Sequence, residues 1–276
     1  MVFKIIFVRC MLFYLSWIEI NGCSETCKLP QNTIEHNSAE NDNDISEINI
    51  KMTWLPAESM NKLLDNLKIA GILKTPRILE TMQAFDRALF CSSPKPYSDS
   101  PQSIGYGATI SAPHMHAYAL EFMKDKLVDG ARALDVGSGS GILSAYMAYM
   151  VSPTGMVVGV DHIEELVNMS IENVKKAKPE LLKDGILKLV VADGRSAMFE
   201  EGPFDVIHVG AACREEPKHL LDQLKPSGVM VAPVGTYSQS FIQYKKDANG
   251  KVEKKTLLGV VYVPLTDKED QLGRYR

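Results

Sequence analysis

Between Ala131 and Val234 the chain alternates short apolar runs with segments of helical period, and that alternation leaves few folds open. "ARALDV", "MVVGVD", "ILKLVVAD", "FDVIHVGA" and "GVMVAPV" read as strands. "ILSAYMAYMV", "IEELVNMSIENVKKAK" and "PKHLLDQLK" read as helices between them. Strands joined by helices of 9–16 residues build βαβ units, and so a mostly parallel sheet with helices on both faces. The expected class is a doubly wound α/β fold. "SFIQYKKDANGKVEKKTLLGVVYVPL" places a "DANGK" turn between two strand-like runs, which predicts an antiparallel hairpin closing the sheet.

Upstream, "ESMNKLLDNLKIAGI" sets Met60, Leu63, Leu64, Leu67 and Ile72 near one helical face, with Gly71 as a C-cap. "TPRILETMQAFDRALF" predicts a second helix with Thr75 as N-cap and Pro76 at its first position. "CSSPKPYSDSPQSIGYGAT" is rich in turn residues and predicts a long loop or a mix of strand and loop. "PHMHAYALEFMKDKL" predicts a helix begun by Pro113. An N-terminal helical subregion therefore precedes the sheet.

The first 51 residues read differently. Ile5 to Ile18 is apolar but interrupted by Arg9, which resembles a signal peptide and falls short of the roughly 20 apolar residues of a membrane span. Glu19 to Lys51 is polar and predicts a disordered linker. Residues 52–276 form the expected domain, with no stable membrane association and a cytoplasmic location; the secretory pathway is the alternative if segment 1–22 is used. The sequon at Asn168 falls inside a predicted helix, which weighs against glycosylation. A net charge of -4 gives no electrostatic case for nucleic acid, and "KKDANGKVEKK" reads as a solvated hairpin. Three of five cysteines precede residue 28; Cys91 and Cys213 read as reduced thiols, and no His/Cys set has metal spacing.

"LDVGSGSGIL" follows the first strand of the alternation and opens its helix. Gly137, Gly139 and Gly141 allow a tight turn and close approach of a ligand at the carboxyl ends of the strands. Dinucleotide enzymes share such loops. Here Asp135 precedes the glycines, where a carboxylate repels a pyrophosphate but suits the cationic amino end of S-adenosylmethionine. Ser144 stands where the dinucleotide pattern has its third glycine. Asp161 ends the second strand and can accept from ribose hydroxyls; Asp193 ends the third and can accept from an adenine amino group.

"YGATISAPHMHAYAL" gathers Ser111, His114 and His116 and suggests a serine hydrolase, but Ser111 lacks a G-x-S-x-G elbow. With "DSPQSIGYGATISAPHMHA", "ALDVGSGSGIL", "GVDHI", "VVADGR", "DVIHVGAA", "LLDQLKPSG" and "GVVYVPLTDKE", the chain from Met52 onward resembles the protein-L-isoaspartate (D-aspartate) O-methyltransferases. The resemblance implies a Rossmann-like methyltransferase fold and a monomer. It implies methylation of the free α-carboxyl of isoaspartyl residues in damaged proteins, with S-adenosyl-L-methionine consumed and S-adenosyl-L-homocysteine released. It carries cofactor contacts to Ala108, Thr109, Ile110, Ser111, His116, Asp135, Gly137, Ser138, Gly139, Ser140, Asp161, His162, Asp193, Gly194, Thr266 and Gln271, and the active-site serine to Ser111. His114 is left without a role.

Two other functions fit parts of the sequence. One is methyl transfer to a small molecule or nucleic acid; "HVGAAC" in place of an Asn/Asp-Pro-Pro-aromatic motif argues against amino-group methylation. The other is a catalytically silent binding protein, which the complete glycine loop and Ser111 argue against.

Overall fold

A computed structural model describes residues 56–275, so the apolar segment and linker expected over residues 1–51 lie outside the described residues. Helices α1 (Met60–Ile69) and α2 (Pro76–Gln83) come first. The hairpin β1 (Gln102–Gly105) and β2 (Ala108–Ile110) follows, then α3 (Pro113–Met123). The sheet begins with β3 (Arg132–Val136), α4 (Ile142–Val151), β4 (Met156–Asp161) and α5 (Glu164–Ala177). It continues with α6 (Glu180–Lys183), β5 (Leu187–Val191), β6 (Phe204–Val209) and α7 (Lys218–Asp222). β7 (Leu224–Val234), β8 (Gln239–Lys246), β9 (Val252–Val260) and α8 (Lys268–Tyr275) complete it.

The strand order is β5-β4-β3-β6-β7-β8-β9. β3 to β7 pair in parallel, and β8 and β9 add antiparallel. The chain winds outward from β3 to β5, then returns to β6 on the other side of β3. That reversal is the switch point where open α/β sheets bind ligands.

Strand alternation divides the core. Ala133, Val157, Val206 and Val229 face the side packed by α1 to α4. Leu134, Val158, Ile207 and Met230 face the side packed by Leu220 and Leu221 of α7. Asp135 shares the face of Ala133, and its register partners are Gly159 on β4 and His208 on β6. Gly159 makes room for α4: a Cβ there would lie 2.7 Å from Ser144 Oγ.

Some segments differ from the sequence reading. The helix expected through "TPRILETMQAFDRALF" stops at Gln83. Asp86 then caps a short 3-10 turn, Arg87–Leu89, its side chain accepting from Ala88 N at 2.9 Å. Thr75 is the N-cap of α2, but its hydroxyl donates to Glu121 on α3 at 2.8 Å instead of capping its own helix. α7 is shorter than "PKHLLDQLK", and β7 starts at Leu224, ahead of "GVMVAPV". α8 has no counterpart in the sequence reading. Ser170, the serine of the Asn168 sequon, is fully buried.

Candidate active site

The pocket opens at the carboxyl ends of β3, β4, β5 and β6. Gly137 and Gly139 of the glycine turn form one wall. Gly137 N and Ser138 N both donate to Val160 O, at 2.8 and 2.9 Å, which fastens the turn to β4. Ser138 Oγ is buried without a partner. Gly210, after β6, lies against this turn: its N–H donates to Val136 O at 2.7 Å, and a Cβ on it would sit 2.8 Å from Gly137 O. Gly194 is equally confined, since its Cβ would meet Val136 Cγ1 at 2.4 Å. The turn, the end of β6 and the loop after β5 thus pack closely about the small side chains of Val136 and Ala211, which leaves room for a nucleoside beside them.

Asp161 lines the pocket at the end of β4. Its carboxylate accepts from Gly139 N at 3.2 Å and from Ile163 N at 3.1 Å. Burial still holds its pKa above the usual 3.8, and the backbone donors offset this only in part. Asp193 also lines the pocket, two residues beyond the end of β5. Arg195 grips it from Nη2 at 2.6 Å and from Nε at 3.0 Å, which lowers the Asp193 pKa. The same Arg195 Nη2 reaches Asp267 at 2.6 Å, tying the β5 loop to the approach of α8.

The other wall comes from the N- and C-terminal parts of the chain. Ala108 and Thr109 of β2 face the pocket, as do His162, Thr266 and Gln271. Tyr106 and Gly107 make the hairpin turn with φ of 53° and 69°, a conformation glycine adopts without strain. Gln271 closes this side: His162 Nε2 donates to its Oε1 at 2.8 Å, and its Nε2 donates to Tyr106 O at 3.0 Å.

The remaining expected site residues lie beside or beneath the pocket. Ile110 is buried in the core. Ser140 is buried, its carbonyl accepting from Asn173 Nδ2 at 3.1 Å. Asp135 is 1 % exposed, and its carboxylate is engaged by Ser144 Oγ at 2.5 Å and His208 Nδ1 at 2.7 Å. The acidic group expected to face the cofactor's ammonium therefore points under the glycine turn, toward α4. His116 is buried, and desolvation holds its pKa well below 6.5, with Arg87, His208 and His114 adding to the effect. Burial thus disfavours its protonated form. His114 now has a structural part: Asp99 Oδ1 accepts from its backbone N–H and lies 2.9 Å from its Nδ1, capping α3 from outside the helix.

Ser111, the expected active-site serine, follows β2 directly, one residue beyond Ile110 and outside the lining of the pocket. Its carbonyl accepts from Arg87 Nη2 at 2.9 Å, and its side chain lies beside the phenol of Tyr262, whose pKa burial pushes up. Gln239 holds the Tyr262 backbone from both sides: Tyr262 N donates to its Oε1 at 2.6 Å, and its Nε2 donates to Tyr262 O at 3.0 Å. Arg87, Arg195, His208 and Tyr262 were not singled out from sequence. Apart from Asp193, two residues from Arg195, their partners are distant in the chain.

A switch-point pocket with a glycine turn, an acidic residue at the end of β4 and a second after β5 defines a class I, S-adenosylmethionine-dependent methyltransferase. The protein-L-isoaspartate (D-aspartate) O-methyltransferase family pattern matches residues 58–270. A Triticum aestivum protein-L-isoaspartate O-methyltransferase is 52 % identical over 217 residues, covering 78 % of this chain and 94 % of that one. A Caenorhabditis elegans protein-L-isoaspartate O-methyltransferase is 45 % identical over 226 residues, covering 81 % of this chain and 100 % of that one. The crystal structure of a Plasmodium falciparum protein-L-isoaspartate O-methyltransferase, in complex with S-adenosyl-L-homocysteine, matches with a TM-score of 0.72 and 38 % identity, over 76 % of this chain and 99 % of that one. The chain belongs to the protein-L-isoaspartate (D-aspartate) O-methyltransferase family.

Proposed function

We propose that this protein transfers a methyl group from S-adenosyl-L-methionine to the free α-carboxyl of L-isoaspartyl residues in damaged proteins and peptides. The family's description also names D-aspartate. The observation that carries the reading is the continuity of the chain at β2: Ala108 and Thr109 line the pocket, and Ser111 follows two residues after Thr109. The close junction of Gly137, Gly194 and Gly210 leaves space that suits a nucleoside, and the Asp161 carboxylate on the pocket wall suits ribose hydroxyls.

When bound, the cofactor supplies a methyl group already activated on a sulfonium. The attacking carboxylate belongs to the substrate and is ionised at neutral pH, so no general base is needed. The protein accordingly disfavours protonation of His116 and ties His114 to Asp99. Its task is alignment, which supplies about 7–11 kcal/mol in the best cases. Ser111 offers a neutral hydroxyl and a backbone N–H to the carboxylate. Neutral donors suit a reaction in which charge disappears, because a strong cation would favour the ground state over the transition state. Esterification replaces the carboxylate oxygen, which cannot leave, with methoxide, which can. The neighbouring peptide nitrogen then closes a succinimide with loss of methanol, and part of it hydrolyses to normal aspartate.

Ala108, Thr109, Gly137, Gly139, Asp161, His162, Asp193, Gly194, Thr266 and Gln271 are the proposed direct cofactor contacts, all on the pocket wall. Ile110, His116, Asp135, Ser138 and Ser140 are proposed to shape that wall from behind. The domain is taken as 52–276, acting as a cytoplasmic monomer without nucleic acid. Two free, buried thiols, Cys91 and Cys213, support a reducing compartment. Among the described residues no helix is long and apolar enough to cross a membrane.

Transfer of labelled methyl to an isoaspartyl peptide and to its normal aspartyl twin tests the reading. Labelling of the isoaspartyl peptide alone is expected. Equal labelling of both, or of neither, removes it.

A further inference from the structure

Arg87 is the one lysine or arginine among the described residues that is buried, at 1 % exposure. Burying a guanidinium is costly, and such a charge is ordinarily held by a carboxylate. Arg87 is held by two backbone carbonyls: Nε donates to Pro96 O and Nη2 to Ser111 O, each at 2.9 Å. Asp99 acts on it through space, while its own Oδ1 is bound to His114. Arg87 Nη1 has no partner. Packing alone gives no reason for a cation at this place.

The fork of Arg87 joins two segments of the turn-rich region. One carries Pro96. The other carries Ser111, between β2 and α3. Ser111 is thus held at its carbonyl by Arg87, with its side chain beside the Tyr262 phenol. A carbonyl held from behind sets the plane of the peptide between Ser111 and Ala112. It also limits where the Ser111 side chain can point.

We propose that Arg87 is a positioning residue for methyl transfer: its guanidinium fixes the Ser111 segment so that Ser111 is aimed at the substrate carboxylate. The assignment rests on the reading of Ser111 as the substrate contact. Lysine keeps the charge but lacks the planar fork, so it cannot hold both carbonyls in the same geometry.

A double-mutant cycle between Arg87→Lys and Ser111→Ala tests it, with kcat on an isoaspartyl peptide and S-adenosyl-L-homocysteine affinity measured for each protein. Arg87→Lys is expected to lower kcat roughly tenfold to a hundredfold at unchanged S-adenosyl-L-homocysteine affinity. In the Ser111→Ala background the same change is expected to lower kcat little further. Additive losses, or a parallel fall in S-adenosyl-L-homocysteine affinity, would make Arg87 a purely structural residue and overturn the proposal. Arg87→Gln runs the same cycle should the lysine variant not fold. If neither variant folds, Arg87 is a folding residue and the proposal fails. A wild-type protein that leaves the isoaspartyl peptide unlabelled fails earlier, at the functional reading, and the assignment falls with it.

Discussion

Asp135 Oδ1 lies 2.7 Å from His208 Nδ1, and the same carboxylate accepts from Ser144 Oγ at 2.5 Å, so the acidic group ahead of the glycine turn is engaged inside the fold. All three residues are buried. The network joins β3, β6 and α4 beneath the pocket floor. Asp135→Ala leaves His208 and Ser144 without their shared acceptor. It should destabilise the protein by roughly 1–3 kcal/mol, measured by urea unfolding. Asp135→Asn keeps the volume and one acceptor and should lose less. A folded Asp135→Ala protein of unchanged stability but weakened S-adenosyl-L-homocysteine binding would instead make Asp135 a direct cofactor contact.

Asp161 gives the site a pH dependence. Burial raises its pKa in the cofactor-free protein above the usual 3.8. A raised carboxyl pKa contributes stability at low pH that is lost as pH rises through the raised value. Hydroxyl donors from a bound ribose favour the ionised form and pull the pKa back down. S-adenosyl-L-homocysteine affinity should therefore fall as pH drops through the Asp161 range, with binding there releasing one proton at most. Calorimetric titration across acidic pH reads this, and Asp161→Asn should flatten the slope. A slope that survives in that variant contradicts the assignment.

Gln271 binds α8 to both sides of the pocket, through His162 and Tyr106. Losing two hydrogen bonds of about 1 kcal/mol each should speed release of the cofactor product. Gln271→Ala is expected to raise the S-adenosyl-L-homocysteine dissociation rate roughly tenfold in stopped-flow measurements, with the association rate little changed. An unchanged dissociation rate would mean that α8 does not restrain the ligand.

Gly210 tests the close approach of the glycine turn and the end of β6. An alanine there would place Cβ 2.8 Å from Gly137 O, a backbone atom that can yield only by moving the turn. Overpacking of this kind costs about 1–3 kcal/mol. Gly210→Ala should weaken S-adenosyl-L-homocysteine binding by roughly tenfold to a hundredfold while the protein still folds. Wild-type affinity in the variant would place the nucleoside elsewhere.

Much of this fold was legible because β3, β4 and β6 are almost wholly buried and α4 opens at Gly141. "ILSAYMAYMV" is α4 and "MVVGVD" is β4, residue for residue. The expected hairpin is β8 and β9. α8 was not legible because it lacks an apolar stripe and is held by Gln271 and by the Arg195–Asp267 pair. The pocket residues at strand ends were found by position, which fixes where a backbone goes. Position alone did not show which way Asp135 points. Strand alternation did: Asp135 stands two residues from Ala133, so both face the helices α1 to α4. Arg87 and Tyr262 were out of reach, since each meets Ser111 only once the chain has folded.

The central claim is that the methyl group lands on a carboxyl oxygen of isoaspartate. An isoaspartyl peptide incubated with the protein and S-adenosyl-L-methionine, and followed by mass spectrometry, tests it most directly. The predicted course is gain of one methyl group, loss of methanol to the succinimide, and then growth of the normal aspartyl peptide. A methylated product that survives mild base, or an aspartyl twin methylated equally well, would contradict it.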